Sequence, residues 1–349
     1  MRPKVSVNLG TNRPGGLDIS LAGLANQTFQ DFEVIITDGR YHVRHAQVLE
    51  AVAASGIKQP VYHVPNHRYR PDIWGTPCAG FNTGFMLSEG EFVVMLLDYA
   101  YAPPQWLEKH MEHQAKTPMV ALAPHEYRTL HGAVTKDGGP LLDFHRRNLI
   151  DGVPFEEAVK TVLAQRERFR EISVFSEPFV ADKLDLFPAE ESDMKCKMPT
   201  APCTYHYFNT KNESFPLEAA LEANGMDEHY DLGRGPGDPD LGLRLSRTGL
   251  PIWTIQEAIV HCLNPRAILP NINIVIPEDS RLPPPYQDRW YNQDGYKYLE
   301  TVIVENLVRA KNPYDLRKKR EEIWSWRELS QKEDAVIEKN VVADSVYWK

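Results

Sequence analysis

The side chains best placed to do chemistry are acids that stand at the ends of apolar runs. Asp98 follows Phe92–Leu97 (FVVMLL), the most continuously apolar stretch of the chain. A carboxylate against such a run is costly to bury unless it is solvated or partnered, which favours a functional role. Asp38 ends another run, FEVIIT, and precedes Gly39. Asp-Gly is also a common turn pair, so taken alone Asp38 reads first as a turn former. Asp238 and Asp240 lie in Gly-Asp-Pro-Asp, where Asp238 can cap a helix that has Pro239 in its first turn. Capping does not prevent a carboxylate from taking a proton off a hydroxyl, and carboxylate oxygen also holds hard divalent cations. His261 sits in an apolar run and reads by default as a core histidine, and Asn82 as a polar helix position.

These residues need elements to position them. Strand and helix signals alternate over the first hundred or so residues. Strands are expected at 5–9, 32–37, 60–64, 92–97 and 120–123, with helices over 17–24, 44–55, 79–87 and from Pro103-Pro104 to about 116. Such alternation predicts a doubly wound, mainly parallel, Rossmann-like sheet. Ligands then bind beyond the carboxyl ends of the strands, which singles out Thr11, Asp38 and Asp98. Periodicity weakens over about 125–200, an insertion with a charged helix at 155–172. Helices are plausible at 216–224 and 238–248. Beyond Pro265 comes a Pro-rich loop and then charged helical sequence from about 294 to 340. The expected division is a catalytic domain over 1–265 and a C-terminal helical arm over 266–349.

The 349 residues carry a net charge of -9, which argues against a polyanion binder as a whole. Two runs rich in basic and aromatic residues, Arg40–His45 and His67–Arg70, follow strands and could face a phosphate or an anionic acceptor, nucleic acid included. Solvated loops are the commoner reading of such runs. No apolar run nears the roughly 20 residues of a membrane span, and the N-terminus lacks a signal-like apolar segment. Cytoplasmic residence is the expectation. The cysteines (Cys78, Cys196, Cys203, Cys262) form no paired framework, and Cys196, Cys203 and His206 lack the spacing of a zinc site.

Four segments in order resemble the family 2 glycosyltransferases of the GT-A fold: VSVNLGTNRPGGLDISLAGLANQTFQDFEVIITDGR, CAGFNTGFMLSEGEFVVMLLDYAYAPPQWLEKHM, NESFPLEAALEANGMDEHYDLGRGPGDPDLGLRLSRTGL and IVHCLNP. Together they cover most of residues 3–265. The resemblance implies transfer of a hexosyl or pentosyl unit from a nucleotide-diphosphate sugar, a UDP-sugar above others, to an acceptor hydroxyl with inversion. It implies that Thr11, Arg13, Asp38, Asn82 and Asp98 bind the donor and that Asp238 is the general base, with Asp240 a further acid. It also implies a divalent metal, Mn or Mg, held by Asp98 and His261.

The chain departs from the family pattern where the second DXD aspartate is replaced by Ala100, which leaves a metal fewer charged ligands, and where Gly237 replaces a glutamate. A non-catalytic nucleotide-sugar-binding protein is therefore an alternative. A nucleotidyltransferase ranks below it, because the loop after the first strand carries only Arg13 and Gly15-Gly16. The arm is expected to cover the acceptor side or to make a homodimer contact.

Overall fold

A computed structural model describes residues 2–11, 16–39, 41–68, 77–98, 100–129, 187–188, 194–232, 236–263, 303, 305–332 and 337. In chain order the regular elements begin with β1 (Val5–Thr11), α1 (Leu17–Ala25), β2 (Phe32–Asp38), α2 (Tyr41–Ser55), β3 (Val61–Pro65), α3 (Pro77–Leu87) and β4 (Phe92–Leu97). They continue with β5 (Ala100–Tyr101), α4 (Trp106–Lys116), β6 (Val120–Leu122), β7 (His125–Thr129), β8 (Phe187–Pro188), β9 (Ala201–Pro202) and β10 (Asn212–Pro216). The last are α5 (Leu217–Glu222), α6 (Gly237–Ser246), β11 (Ile252–Thr254), β12 (Val260–Leu263), α7 (Leu316–Ile323) and α8 (Trp326–Leu329). The charged helix expected at 155–172, the Pro-rich loop and most of the insertion lie outside the described residues.

The main sheet has the order β3-β2-β1-β4-β10-β6-β11-β9. β3, β2, β1 and β4 are mutually parallel, as the alternating pattern requires, and only β10 and β9 run against their neighbours. Because successive side chains point to opposite faces, each strand feeds two cores. Val5, Val7, Leu9, Val34, Ile36, Val94 and Leu96 pack with α1 and α4, while Ile35, Val93, Met95 and Phe215 pack with α3 and α6. The fold is thus a doubly wound, mainly parallel α/β sheet. A second sheet, β5-β12-β7-β8, stands at the carboxyl edge, where β12 pairs with β5 and β7.

The central strand β10 was not expected. Its first three residues, Asn212, Glu213 and Ser214, are polar and all fully buried. Each is partnered. Asn212 Oδ1 accepts from Trp106 Nε1 at 2.7 Å, Lys195 Nζ pairs with Glu213 at 2.8 Å, and Ser214 Oγ meets His110 Nδ1 at 2.9 Å. Polar residues that satisfy one another inside the protein have no apolar signature in the sequence.

The described part of the arm holds two short helices, where a longer helical stretch was expected. Asp315 caps α7 by accepting from the backbone N–H of Arg317 at 2.9 Å. Leu316, Ile323 and Trp326 enter the same core as Phe85 and Phe215. Asn224, at a positive φ of 57°, receives Leu316 N at 2.8 Å on its Oδ1 and donates to the Tyr314 carbonyl at 3.1 Å. Among the described residues, no helix is long and apolar enough to cross a membrane.

Candidate active site

Three of the expected residues meet at the carboxyl ends of β1, β2 and β4. The parallel register puts Thr11 beside Asp38 and Gly10 beside Leu97, so Asp98 emerges next to Thr11. Thr11 Oγ1 donates to Asp98 Oδ2 at 3.0 Å. Its direction is fixed, because the same oxygen receives Arg44 Nη2 at 3.2 Å and so must spend its own proton on Asp98. Arg44 also grips Asp38 with two donors, Nε to Oδ2 at 2.6 Å and Nη2 to Oδ1 at 2.9 Å. His63 Nε2 reaches Asp38 Oδ2 at 3.0 Å. All five side chains are buried. Burial alone would raise the Asp38 pKa, but Arg44 and His63 outweigh it and hold the carboxyl well below the usual range.

Arg44 and His63 were not singled out in the sequence. Arg44 belongs to the basic-aromatic run after β2, which was the available signal. His63 sits inside β3, where nothing marks it. Their three donors take up most of the acceptor capacity of Asp38, which therefore acts first as the partner of Arg44.

Asp238 opens α6 from a distant part of the chain, and β10 brings it to the same edge. Asn212 pairs with Leu96 in the antiparallel register. Thr210 and Asp98 each lie two residues beyond that pair, at one end of adjacent strands. Thr210 Oγ1 donates to Asp238 Oδ1 at 2.9 Å. Burial pushes the Asp238 carboxyl up to about 6, the Thr210 bond lowers it, Glu213 raises it further, and Lys211 and Lys195 lower it. Lys211 Nζ donates to His125 Nε2 at 3.3 Å beside the same strand end.

Asp240 is placed differently. Positions two apart on a helix are separated by about 200°, so Asp240 turns inward when Asp238 faces the strand edge. It is fully buried and accepts from Arg244 Nε at 2.8 Å, and burial raises its pKa to about 6. Its geometry is that of a buried i,i+4 ion pair.

Asn82 is fully buried and acts as a latch. Its Nδ2 donates to the Met226 carbonyl at 2.9 Å and to Glu228 Oε1 at 2.8 Å, and its Oδ1 receives Met226 N at 2.7 Å. The glycine two positions on has a packing reason as well. A Cβ at Gly84 would stand 2.8 Å from the Asn8 side chain, so a larger residue would push α3 off β1. Glu228 also takes Arg68 Nη1 at 3.0 Å. Asp231 accepts from the N–H groups of Cys78 and Ala79, at 2.8 and 2.9 Å, at the start of α3. Burial, with Glu228 adding to it, raises Asp231 to about 8.

His261 pairs through its backbone with Tyr101 of β5 and Glu126 of β7, and its Nδ1 lies 3.4 Å from Glu126 Oε2. Ala100 is buried in β5 opposite Cys262. Among the described residues, no group of three or more His, Cys, Asp or Glu side chains gathers to hold a metal ion. Arg13, Tyr69 and Arg70 lie outside the described residues.

A family model described as glycosyl transferase family 2 matches residues 11–179. No curated protein sequence matches the chain. Among solved structures, S. aureus TarS is 13% identical with a TM-score of 0.45, over 86% of this chain, which spans 42% of the TarS length. The TarS fragment 1–349 gives 13% identity and a TM-score of 0.48, over 94% of this chain and 71% of the fragment. A mannosyltransferase, PcManGT from Pyrobaculum calidifontis, solved with GDP-Man and Mn2+, gives 13% identity and a TM-score of 0.44, over 95% of this chain and 74% of that one.

Proposed function

We propose that the chain, whose residues 11–179 match glycosyl transferase family 2, transfers a sugar from a UDP-sugar to an acceptor hydroxyl with inversion. Use of a nucleotide sugar follows from the family. The uridine nucleotide, the inversion and the residue roles are our reading. The observation that carries it is the convergence of two acids at one sheet edge: Asp98 at the end of β4 and Asp238 held by Thr210 just before β10.

In this reading the donor lies across the carboxyl ends of β1, β2 and β4. Arg44 and Thr11 orient Asp98, whose carboxylate faces the ribose and diphosphate. Fixing the donor keeps displacement at the anomeric carbon in line and removes much of the entropic barrier. The leaving diphosphate gathers negative charge, and oriented cations stabilise that charge more effectively than water does. Lys211, at the end of β10, supplies a cation to this edge. Asp238 takes the acceptor proton. With a pKa raised to about 6 it is mostly ionised at neutral pH, yet a stronger base than an ordinary aspartate. Asp38 holds Arg44 in place, and a contact from Asp38 to the base is secondary to that.

The test is Asp238→Asn assayed against a panel of nucleotide sugars and acceptors. Transfer should fall by at least about a thousandfold while donor affinity, read by calorimetry, stays within about threefold. Transfer that survives nearly intact removes Asp238 as the base. Parallel assays with chelator and with added manganese decide whether a divalent ion takes part.

A further inference from the structure

Three contacts run in line from the sheet edge to the C-terminal arm. His63 Nε2 meets Asp38 Oδ2 at 3.0 Å, His63 Nδ1 meets His45 Nδ1 at 2.8 Å, and His45 Nε2 meets the Lys332 carbonyl at 3.2 Å. Each contact needs one proton to be a hydrogen bond. The two ends bring none, since a carbonyl is only an acceptor and Asp38 is kept ionised by the two donors of Arg44. Two neutral imidazoles carry one N–H each. The line is therefore one proton short when both rings are neutral, and complete when the pair holds one extra proton. Ionised Asp38 keeps a proton on His63 Nε2, so the shortage falls on the two contacts of His45.

We infer that His63 and His45 form a protonation-dependent positioning device that, when it holds one extra proton, clamps the Lys332 end of the C-terminal arm to Asp38. Through Arg44 and Thr11 the same line continues to Asp98. On losing the proton, the pair keeps its hold on Asp38 and loosens its hold on the arm. The groups facing it are Asp38 from β2, Arg44 and Tyr41 from α2, and the arm, where the Lys332 ammonium pairs with Glu328 at 3.2 Å. The Tyr41 ring lies tilted against both rings, with centroids 4.5 Å from His45 and 5.0 Å from His63, and is pushed up to about 12 by burial, so it stays neutral. Burial lowers the pKa of both histidines while Asp38 pulls the other way, which places the switch on the acid side of the ordinary histidine range.

Two readouts on the full wild-type chain test this. Long-range proton–nitrogen spectra of the imidazoles between pH 8 and pH 5 should show one coupled transition, with His63 Nε2 protonated throughout. Hydrogen exchange of residues 326–332, corrected for intrinsic rates, should slow about tenfold across that transition, the weight of one hydrogen bond to a charged group. His45→Phe keeps the ring packing and should leave exchange at its high-pH level throughout. Independent titration of the two rings, or arm exchange that does not change across the transition, overturns the inference. Neither readout involves a nucleotide, so failure here leaves the transferase reading standing, and loss of transfer leaves the clamp standing.

Discussion

Thr210 donates its hydroxyl proton to Asp238 from a left-handed backbone conformation, at a φ of 54°. A β-branched residue rarely takes that conformation, and strain of this kind persists only where the surroundings over-determine it. Here the Thr210 bond is among the influences that keep Asp238 from rising further. Thr210→Val keeps the shape and removes the donor. The acid limb of the pH profile for transfer should then move to higher pH, by about half a unit to one unit. A limb that stays in place means the two side chains are not coupled.

Asp238 carries a stability cost that its replacement should reveal. Its folded pKa is raised from 3.8 to about 6, so its stabilising contribution is whole below pH 3.8 and lost as pH rises through about 6. Asp238→Asn should therefore be more stable than the parent at pH 8, by about 1–2 kcal/mol, with the gain vanishing near pH 4. Urea unfolding at the two pH values measures it, and a gain that is equal at both would contradict the burial argument.

Asp38 works in the opposite sense. Its folded pKa lies below the ordinary 3.8, so the stability it contributes is present above that value and lost as pH falls through the lowered one. Asp38→Asn leaves the buried Arg44 guanidinium without its anion, which should cost about 3–5 kcal/mol at pH 7. The difference from the parent should shrink below pH 4. Chemical denaturation across that range gives the comparison.

Thr11→Val should affect the donor more than the fold of the sheet. It removes the hydroxyl that passes the Arg44 interaction on to Asp98, a cost of about 1–3 kcal/mol. Donor affinity should fall roughly tenfold, and Thr11→Ser should restore most of it. Calorimetric titration with the nucleotide sugar checks both variants.

The arm is held by one arginine above others. Arg327 donates to Glu33 at 2.5 Å, to Glu89 at 3.3 Å and to the Leu87 carbonyl, and it lies over the Tyr62 ring at 4.0 Å. Arg327→Ala removes a partner of buried Glu33, which keeps Ser6 Oγ at 2.6 Å and Glu89 N at 2.8 Å. A loss of about 3 kcal/mol is expected, together with faster proteolysis within 305–332. Unchanged proteolysis would show that the other contacts of the arm hold it without Arg327.

The parallel strands β1 to β4 and the places of Thr11, Asp38 and Asp98 at their ends were legible in the residues alone. A strand buried on both faces is mostly apolar, and in a parallel sheet the acids that end such strands share one edge. Nothing local revealed β10, because Asn212, Glu213 and Ser214 look solvent-facing until Trp106, Lys195 and His110 are seen to satisfy them. The same holds for His63 on Asp38 and for Thr210 on Asp238. A sequence records which side chains avoid water, but a buried polar residue is defined by its partner, and partners tens of positions away are chosen only when the chain folds.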